Sequence, residues 1–262
     1  TERALSVLRE VDLIAVEDTR HSRTLLQQFG IGTPMLAYHD FNEGQQVAKL
    51  LERIISGDDI ALISDAGTPL VSDPGYQLVR QAHIAGIKVV PIPGPSAVIA
   101  ALCSAGLASD RFTFEGFLPA RSAARKASLV NLQKESRTMV FYEAPHRIVE
   151  CMVDMLECLG PEREITMARE LTKTFETILH TTVGELLEIV RNDANQQKDE
   201  IVLVVAGAQA EAHLVDPNAL HALKVLLADL PLKHACALAA QITGLKKNLL
   251  YETALQLKSR KD

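Results

Sequence analysis

The stretch DIALISDAGTPLVSDPGYQLVRQAHIAG, residues 59–86, contains a strand pattern, a loop and a helix pattern in direct succession. The short, β-branched run 59–65 predicts a buried strand, and residues 73–86 show the apolar spacing of a helix. The segment 63–75, which joins the strand pattern to the helix pattern, carries two Asp, two Gly and two Pro residues. Because ligands of open α/β sheets bind beyond the carboxyl ends of the strands, this loop is the first candidate site.

The same kind of apolar run, bounded by polar residues, glycine or proline, recurs along the chain. The further predicted strands are 12–18, 88–94, 112–117, 138–143, 164–170 and 200–207. Helical patterns lie between them, so the alternation predicts an α/β fold with parallel strands in its first half. A basic, proline-containing interruption at 108–120 favours two α/β domains, 1–110 and 111–213, followed by a small helical module at 214–262.

Composition narrows the class of protein further. With 262 residues, 47% hydrophobic and 23% charged, the chain is not predominantly disordered, and no apolar run approaches the roughly 18–20 residues of a membrane span. Its four cysteines show no CxxC spacing, which favours a reducing, cytoplasmic compartment. The net charge of −6 divides into +3 from Leu214 onward and −9 before it, so the C-terminal module is electrostatically distinct.

Two further strand ends carry unusual residues. The run Pro93-Gly94-Pro95 leads into Ser96, which predicts a helix N-cap beside free backbone N–H groups that suit a polar or anionic ligand. The segment EDTRHSR (17–23) concentrates charge directly after the first strand. In the opening loop, Asp73 followed by Pro74 predicts the N-cap of the next helix.

Several common site signatures are absent from the sequence. There is no GxGxxG, GxxxxGK[ST], HExxH or GxSxG pattern, so dinucleotide, P-loop, zincin and hydrolase-elbow sites are not supported. His21, His39 and Asp40 lack a recognised ligand spacing, so no metal site is predicted.

Six motifs in a fixed order make the chain resemble the tetrapyrrole-methylase, or class III methyltransferase, superfamily. They are SDAGTPLVSDPG (64–75), PIPGPSAVIAAL (91–102), FEGFLP (114–119), VFYEAPHRI (140–148), ARELTKTFE (168–176) and EIVLVVAG (200–207). EDTRHSR, AYHDFNE (37–43) and the C-terminal module favour the branch that methylates a ribose 2′-hydroxyl of a decoding-centre cytidine in small-subunit (16S) rRNA. Members of this family begin with a strand and a Pro/Gly loop, and we expect the first domain of this chain to lack both.

The resemblance implies that S-adenosylmethionine binds in a cleft between the two α/β domains, and that the protein is a homodimer acting on 16S rRNA or the small ribosomal subunit, away from membranes. The residues it assigns to the cofactor are Asp65, Ala66, Gly67, Thr68, Ser96 and Ala97 from the first domain and Ala168, Val205, Ala206 and Gly207 from the second.

A ribose hydroxyl is a poor nucleophile, so a positioned general base is expected. Asp18 at the end of the first strand is the leading candidate together with Glu17, and Glu143 and Glu170 follow. A pKa raised by burial or by a like charge would suit this role. Each of these carboxylates could instead be a structural ion-pair partner.

Basic residues near the motifs are candidate RNA ligands, because phosphate contacts dominate RNA positioning. They are Arg20, Arg23, Arg147, Arg169, Lys173, Lys246 and Lys247. In the C-terminal module, Pro231, Gly244 and Asn248 predict a helix start, a turn and an N-cap. The resulting helix pair either grips RNA or is a plain hairpin that closes the hydrophobic core.

Two other functions stay open at the level of the sequence. A methyltransferase for a small molecule, such as a tetrapyrrole precursor, would need a largely enclosed apolar pocket. A non-catalytic RNA- or ribosome-binding protein could retain the same fold.

Overall fold

The computed structural model describes residues 1–39, 42–208 and 217–259, which form two compact units, Thr1–Ala206 and Gly207–Asp262. The first unit begins with a three-stranded parallel sheet in the order β2-β1-β3. Its strands are β1 (Leu13–Val16), β2 (Met35–Ala37) and β3 (Ile60–Ile63). Its helices are α1 (Glu2–Glu10), α2 (Thr19–Gln28), α3 (Glu43–Ile55) and α4 (Tyr76–Ile84).

Strand β1 is buried on both faces, which explains its continuous apolar run. Ile14 and Val16 pack with Leu8 and Leu26 of the flanking helices α1 and α2. On the opposite face, Leu13 and Ala15 pack with α3 and α4.

A five-stranded mixed sheet, in the order β4-β5-β8-β6-β7, completes the first unit. Its strands are β4 (Phe112–Phe117), β5 (Thr138–Glu143), β6 (Glu164–Arg169), β7 (Thr177–Thr182) and β8 (Ile201–Val205). Only β4 and β5 pair in parallel among these strands, and the carboxyl ends of β4, β5 and β6 therefore lie at one edge.

Helices cover both faces of this second sheet. Helix α5 (Ala97–Ser104) packs on one face, against Val140, Ala168, Val202 and Val204. The other face is covered by apolar residues of α7 (Ile148–Leu159) and α8 (Val183–Asn192), with α6 (Ser122–Leu132) packed on α7. Short 3₁₀ turns occupy Pro145–Arg147 and Ala194–Gln197.

A buried ion pair joins α6 to α7. The Arg125 Nε atom donates to Asp154 Oδ2 at 2.6 Å, and both side chains are almost fully buried. Ser122 donates to the other carboxylate oxygen at 2.9 Å. Because an unpaired buried charge is very costly, this pair fixes how the two helices dock.

Within residues 217–259, the second unit contains three helices, α9 (Pro217–Asp229), α10 (Leu232–Thr243) and α11 (Lys247–Ser259). They enclose a hydrophobic core of their own, formed by Ala219, Leu223, Cys236, Ala239, Leu250 and Ala254. Gly244 ends α10 with a left-handed φ of 71°, as the predicted turn requires. Helix α11 begins at Lys247, which makes Lys246 the N-cap position, so the predicted N-cap at Asn248 is wrong by two positions.

The strand prediction for residues 88–94 is wrong. Residues 87–96 form no regular element, and Val89 and Val90 are exposed. Pro91 and Pro93 lack the N–H groups that a ladder requires, which explains why an apolar run fails to pair. The other six predicted strands are confirmed at their cores, whereas β2 and β7 were not predicted.

Candidate functional site

The carboxyl edge of the first sheet brings two of the predicted charged segments together. Strands β1 and β3 are parallel neighbours, so the residues that follow them, Asp18 and Asp65, are adjacent. The backbone N–H of Asp18 donates to Asp65 Oδ1 at 3.3 Å. This contact orients the Asp65 carboxylate at the place where an α/β sheet binds its ligands.

The loop after β3 is held in a strained conformation. Leu70 and Ser72 adopt left-handed φ angles of 72° and 64°, and Gly67 and Gly75 have φ angles of 90° and 132°. A left-handed non-glycine residue costs about 1–3 kcal/mol and persists only when its surroundings enforce it. Such strain concentrates at ligand-binding sites, in agreement with the choice of this loop from the sequence.

A carboxylate from a different helix supports the end of this loop. Glu43 Oε1 accepts from the Tyr38 hydroxyl at 2.7 Å and from the backbone N–H groups of Gly75 and Gln77 at 3.3 and 3.4 Å. Helix α4 accordingly begins at Tyr76 with Gly75 as its N-cap residue. The predicted N-cap at Asp73 is wrong, because Glu43 supplies the acceptor from more than 30 residues away.

Sequence reasoning assigned no role to Glu43, although it lies within the AYHDFNE motif. Asn42 beside it accepts from the His39 N–H at 2.9 Å and donates to the Ala37 carbonyl at 3.1 Å. The motif thus shapes the chain after β2. The spacing of its polar residues immediately after a strand is the signal that could have drawn attention to Glu43.

Two loops that precede helices meet in the same crevice. The Thr68 hydroxyl donates to the Pro95 carbonyl at 2.7 Å, and the α carbon of Gly67 faces that carbonyl, 4.0 Å from where a Cβ would lie. Ser96 caps α5 by accepting from the Ile99 N–H at 3.5 Å, which confirms the predicted N-cap. Asp65, Gly67, Thr68 and Ser96 therefore line one small region.

Tyr142 at the end of β5 closes this crevice from the second sheet. Its side chain packs against the buried cluster that contains Val98, in the first turn of α5. Burial, together with the negative charge of Asp73, raises the pKa of the Tyr142 phenol. The loop after β3, the N-terminus of α5 and the carboxyl edge of the second sheet thus converge.

The second-domain residues predicted to hold the cofactor are not brought together. Ala168 is buried beneath α5 and pairs with Val202, whereas Val205 pairs with Ile165 and packs into the core on the opposite face of the sheet. Ala206 continues β8 at the edge opposite Tyr142, where its N–H donates to the Glu164 carbonyl. Gly207 lies at the boundary between the two units.

The candidate bases occupy different environments. Asp18 accepts from the Arg20 backbone N–H at 2.7 Å and caps α2, and this hydrogen bond holds the pKa of the carboxyl below its ordinary value. A general base was expected to have a raised pKa. The lowered pKa of Asp18 does not meet this expectation. Glu17 is half-buried in the same segment.

Glu143 is buried at the carboxyl edge of the second sheet. It pairs with Arg147, and one oxygen, Oε1, also accepts from the Ala144 N–H at 2.7 Å. Its second oxygen, Oε2, has no hydrogen-bond partner among the described residues. Burial raises the pKa of the nearby Cys151 thiol, and the Glu143 carboxylate raises it further.

The predicted RNA ligands divide into exposed and engaged residues. Arg20, Arg23, Lys246 and Lys247 are exposed, and Arg20 also forms a surface ion pair with Asp18 at 3.5 Å. Arg147 is paired with Glu143, and Lys173 with Glu200.

Arg169 is not available as a phosphate ligand in this conformation. Its guanidinium is buried and donates to Glu170 at 2.7 Å, to the Phe175 carbonyl at 3.1 Å and to Thr177 at 3.0 Å. These bonds hold the loop between β6 and β7, in which Glu170 has a left-handed φ of 52°. The prediction from sequence missed this role because burial of an arginine leaves no local signal.

No cluster of His, Cys, Asp and Glu suited to a metal ion occurs in the part of the chain that the structure describes. Asp40, one of the residues considered for such a site, lies outside the described residues. Within the same ranges, no helix is long and apolar enough to span a membrane.

An oriented carboxylate, a strained glycine-containing loop and a capped helix N-terminus form a candidate ligand site in a two-sheet α/β unit. The sequence places the chain more narrowly. It belongs to the tetrapyrrole (corrin/porphyrin) methylase family, whose model matches residues 1–187. Residues 213–258 match the RsmI C-terminal HTH domain.

Named relatives and a solved structure agree with this placement. The chain is 57% identical to ribosomal RNA small subunit methyltransferase I of Pseudomonas aeruginosa, over 97% of this chain and 91% of that protein. It is 54% identical to the protein of the same name from Escherichia coli O157:H7, over 98% and 90%. Uroporphyrin-III C-methyltransferase of Thermus thermophilus, solved with S-adenosylhomocysteine, shares the fold with a TM-score of 0.52 at 17% identity, over 79% and 90%. The chain is an S-adenosylmethionine-dependent methyltransferase.

The support that Glu43 gives to the crevice leads to a first prediction. In Glu43→Ala, the Gly75 and Gln77 N–H groups lose their acceptor, so we expect the loop to relax and cofactor affinity to fall about tenfold, the effect of losing one hydrogen bond to a charged group. Isothermal titration with S-adenosylmethionine measures this. Glu52→Ala, an exposed carboxylate on the same helix, is the matched control; equal affinities in both variants would show that Glu43 does not shape the site.

Proposed function

We propose that this protein transfers a methyl group from S-adenosylmethionine to the ribose 2′-hydroxyl of a decoding-centre cytidine in 16S rRNA. The observation that carries the proposal is identity of 54–57% along almost the whole chain with proteins named ribosomal RNA small subunit methyltransferase I. The match of residues 213–258 to the C-terminal domain of the same group supports it.

We propose that S-adenosylmethionine binds in the crevice formed by the loop after β3 and the N-terminus of α5. The Asp65 carboxylate suits an ammonium or ribose hydroxyl group, and the exposed Ala66 and Gly67 leave room for backbone approach. Thr68, Ser96 and Ala97 add a hydroxyl oxygen and a helix N-terminus. Ala168, Val205, Ala206 and Gly207 stay a weaker part of the proposal, because Ala168 and Val205 pack on opposite faces of the second sheet.

When bound, S-adenosylmethionine supplies an electrophilic methyl group on its sulfonium. The residues of this chain must then hold the acceptor oxygen about 3 Å from that carbon, in line with the bond that breaks. A base that takes the hydroxyl proton would contribute roughly 10²–10⁴ in rate. Asp18, Glu17 and Glu143 are the proposed bases.

RNA binding is proposed to use the exposed cations, Arg20 and Arg23 near the crevice and Lys246 and Lys247 at the start of α11. Arg147 and Lys173 would first have to leave their carboxylate partners. Lys246 and Lys247 belong to the part of the chain that carries a net charge of +3.

The assembly and location of the protein are proposed together. We propose a homodimer that acts on 16S rRNA or the small ribosomal subunit in the cytoplasm, with the two α/β domains of the first unit meeting near residues 110 and 111. All four cysteines are free, which supports a reducing compartment.

A small-molecule methyltransferase is the alternative, favoured by the family name. A cavity of about 700 Å³ lies beside the loop between β6 and β7, and charged residues such as Glu170, Asp193, Lys198 and Asp199 line it. Because its lining residues are charged, this cavity is not the enclosed apolar pocket that a tetrapyrrole precursor would need.

Methylation with labelled cofactor separates the alternatives. We expect label in the 16S rRNA of purified small subunits lacking this methyl group, at a ribose 2′-oxygen located by hydrolysis resistance, and none in uroporphyrinogen. Naked 16S rRNA distinguishes an RNA from a subunit substrate. Label in the tetrapyrrole and none in RNA would overturn the proposal, and label in neither would favour a binding protein.

Asp18 can be tested as the base without removing its structural role. Asparagine caps helices as well as aspartate does, so Asp18→Asn should preserve α2 and cofactor affinity while turnover falls by about 10²-fold or more. Because the hydrogen bond from the Arg20 N–H holds the pKa of Asp18 below its ordinary value, its carboxylate should not impose a fall in turnover between pH 8 and 5. Unchanged turnover in single-turnover assays would exclude Asp18 as the base and leave Glu17 and Glu143.

The lysines at the start of α11 give a separate test. In Lys246→Ala/Lys247→Ala, RNA affinity should fall and the slope of log K against log salt should decrease by about 1–2, since each lost phosphate contact removes roughly 0.7–0.9. Cofactor affinity should stay constant. Lys49→Ala/Lys134→Ala is the control, because it removes the same charge from exposed positions of the first unit. An equal loss of RNA affinity in that variant would show that overall charge, and not a contact of Lys246 and Lys247, causes the effect.

A further inference from the structure

Strand β4 contains a bulge that changes the direction of one aromatic side chain. Phe114 pairs with Val140, but Gly116 pairs with Phe141 and Phe117 with Tyr142, so one extra residue lies between them. In a regular strand, Phe114 and Phe117 would point to opposite faces, because side chains alternate. The bulge instead places both on the face that carries Tyr142. Gly116 adopts the left-handed φ of 66° that such a bulge favours.

The consequence is a cluster of three rings at the end of the strand. The ring centroids of Phe114 and Tyr142 lie 4.9 Å apart, and those of Phe117 and Tyr142 lie 5.5 Å apart, both in edge-to-face geometry. Phe114 and Tyr142 are partly buried against α5, whereas Phe117 is 54% exposed. The outermost ring is thus held in place by its neighbour and remains open to a ligand.

This cluster borders the candidate cofactor crevice. Tyr142 packs against the cluster that contains Val98, which lies two residues after the Ser96 cap. Gly116 faces the strained loop, since a Cβ built there would lie 3.6 Å from Ser72 Oγ. Phe117 is therefore an exposed aromatic residue at the rim of the site, on a rigid strand.

We propose that Phe117, supported by Tyr142, is the platform on which the base of the target nucleotide stacks. The inference rests on the proposed rRNA substrate and extends it to a residue that recognises the acceptor. Proteins that recognise single-stranded RNA hold unstacked bases on aromatic side chains, so an exposed ring beside the crevice suits the base of the nucleotide whose ribose is methylated. Bulges next to active sites commonly re-aim a side chain in this way.

The experiment measures kcat/KM with small ribosomal subunits for three replacements of Phe117. Phe117→Ala should lower kcat/KM about 10- to 100-fold, the size of one base–aromatic stacking contact. Phe117→Tyr, which keeps a ring, should remain within about threefold of the wild type. Phe117→Leu keeps apolar bulk without a ring, and it should resemble Phe117→Ala. Cofactor affinity and melting temperature should be unchanged in all three.

Phe112→Ala is the matched control, because Phe112 is a partly exposed aromatic residue at the other end of the same strand. Its kcat/KM should equal that of the wild type. Normal activity in Phe117→Ala, full rescue by Phe117→Leu, or an equal loss in Phe112→Ala would overturn the stacking role while leaving rRNA methylation intact. Absence of rRNA methylation by the wild-type protein would instead overturn the proposed function itself, and the platform with it.

Discussion

The packing of α5 on the second sheet is the interaction on which the site depends. Val98, Ala101, Leu102 and Ala105 are buried against that sheet, and together they anchor the helix along its length. The segment that leads into α5 carries the Pro95 carbonyl, which accepts from Thr68 of the other sheet's loop. One short helix thus positions residues from both sheets, and its apolar face determines where the polar crevice lies.

Much of the fold could be predicted because burial on both faces leaves a local signal. The run 12–18 and the run 200–207 are apolar at successive positions, and β1 and β8 are buried at every residue. The run 88–94 is also apolar, but it contains two prolines, which have no N–H groups to pair in a sheet. A strand predicted there from apolar composition alone was therefore wrong. The strand β7 was missed because its residues are mostly exposed or half-buried, so it lacks an apolar run.

The site was predictable in its location but less so in its chemistry. The carboxyl-edge rule predicted that the residues after β1 and β3 lie together, and the hydrogen bond between Asp18 and Asp65 agrees with it. Ser96 caps α5 as predicted, although no strand directly precedes it. The states of the carboxylates and guanidinium groups depend on partners distant in sequence or on burial. Glu43 supports a loop more than 30 residues away, Arg169 is enclosed by its own loop, and the bulge at Gly116 appears only once β4 has paired. None of these contacts leaves a periodic pattern.

The left-handed conformations of Leu70 and Ser72 have a consequence for binding. The unfavourable torsion angles arise when the chain folds, so the loop already has its final shape before any ligand arrives. A ligand then meets a preorganised surface and does not have to order a mobile segment, which reduces the entropic penalty of association. The conformational cost of recognition is in this way transferred from the binding step to the stability of the folded protein.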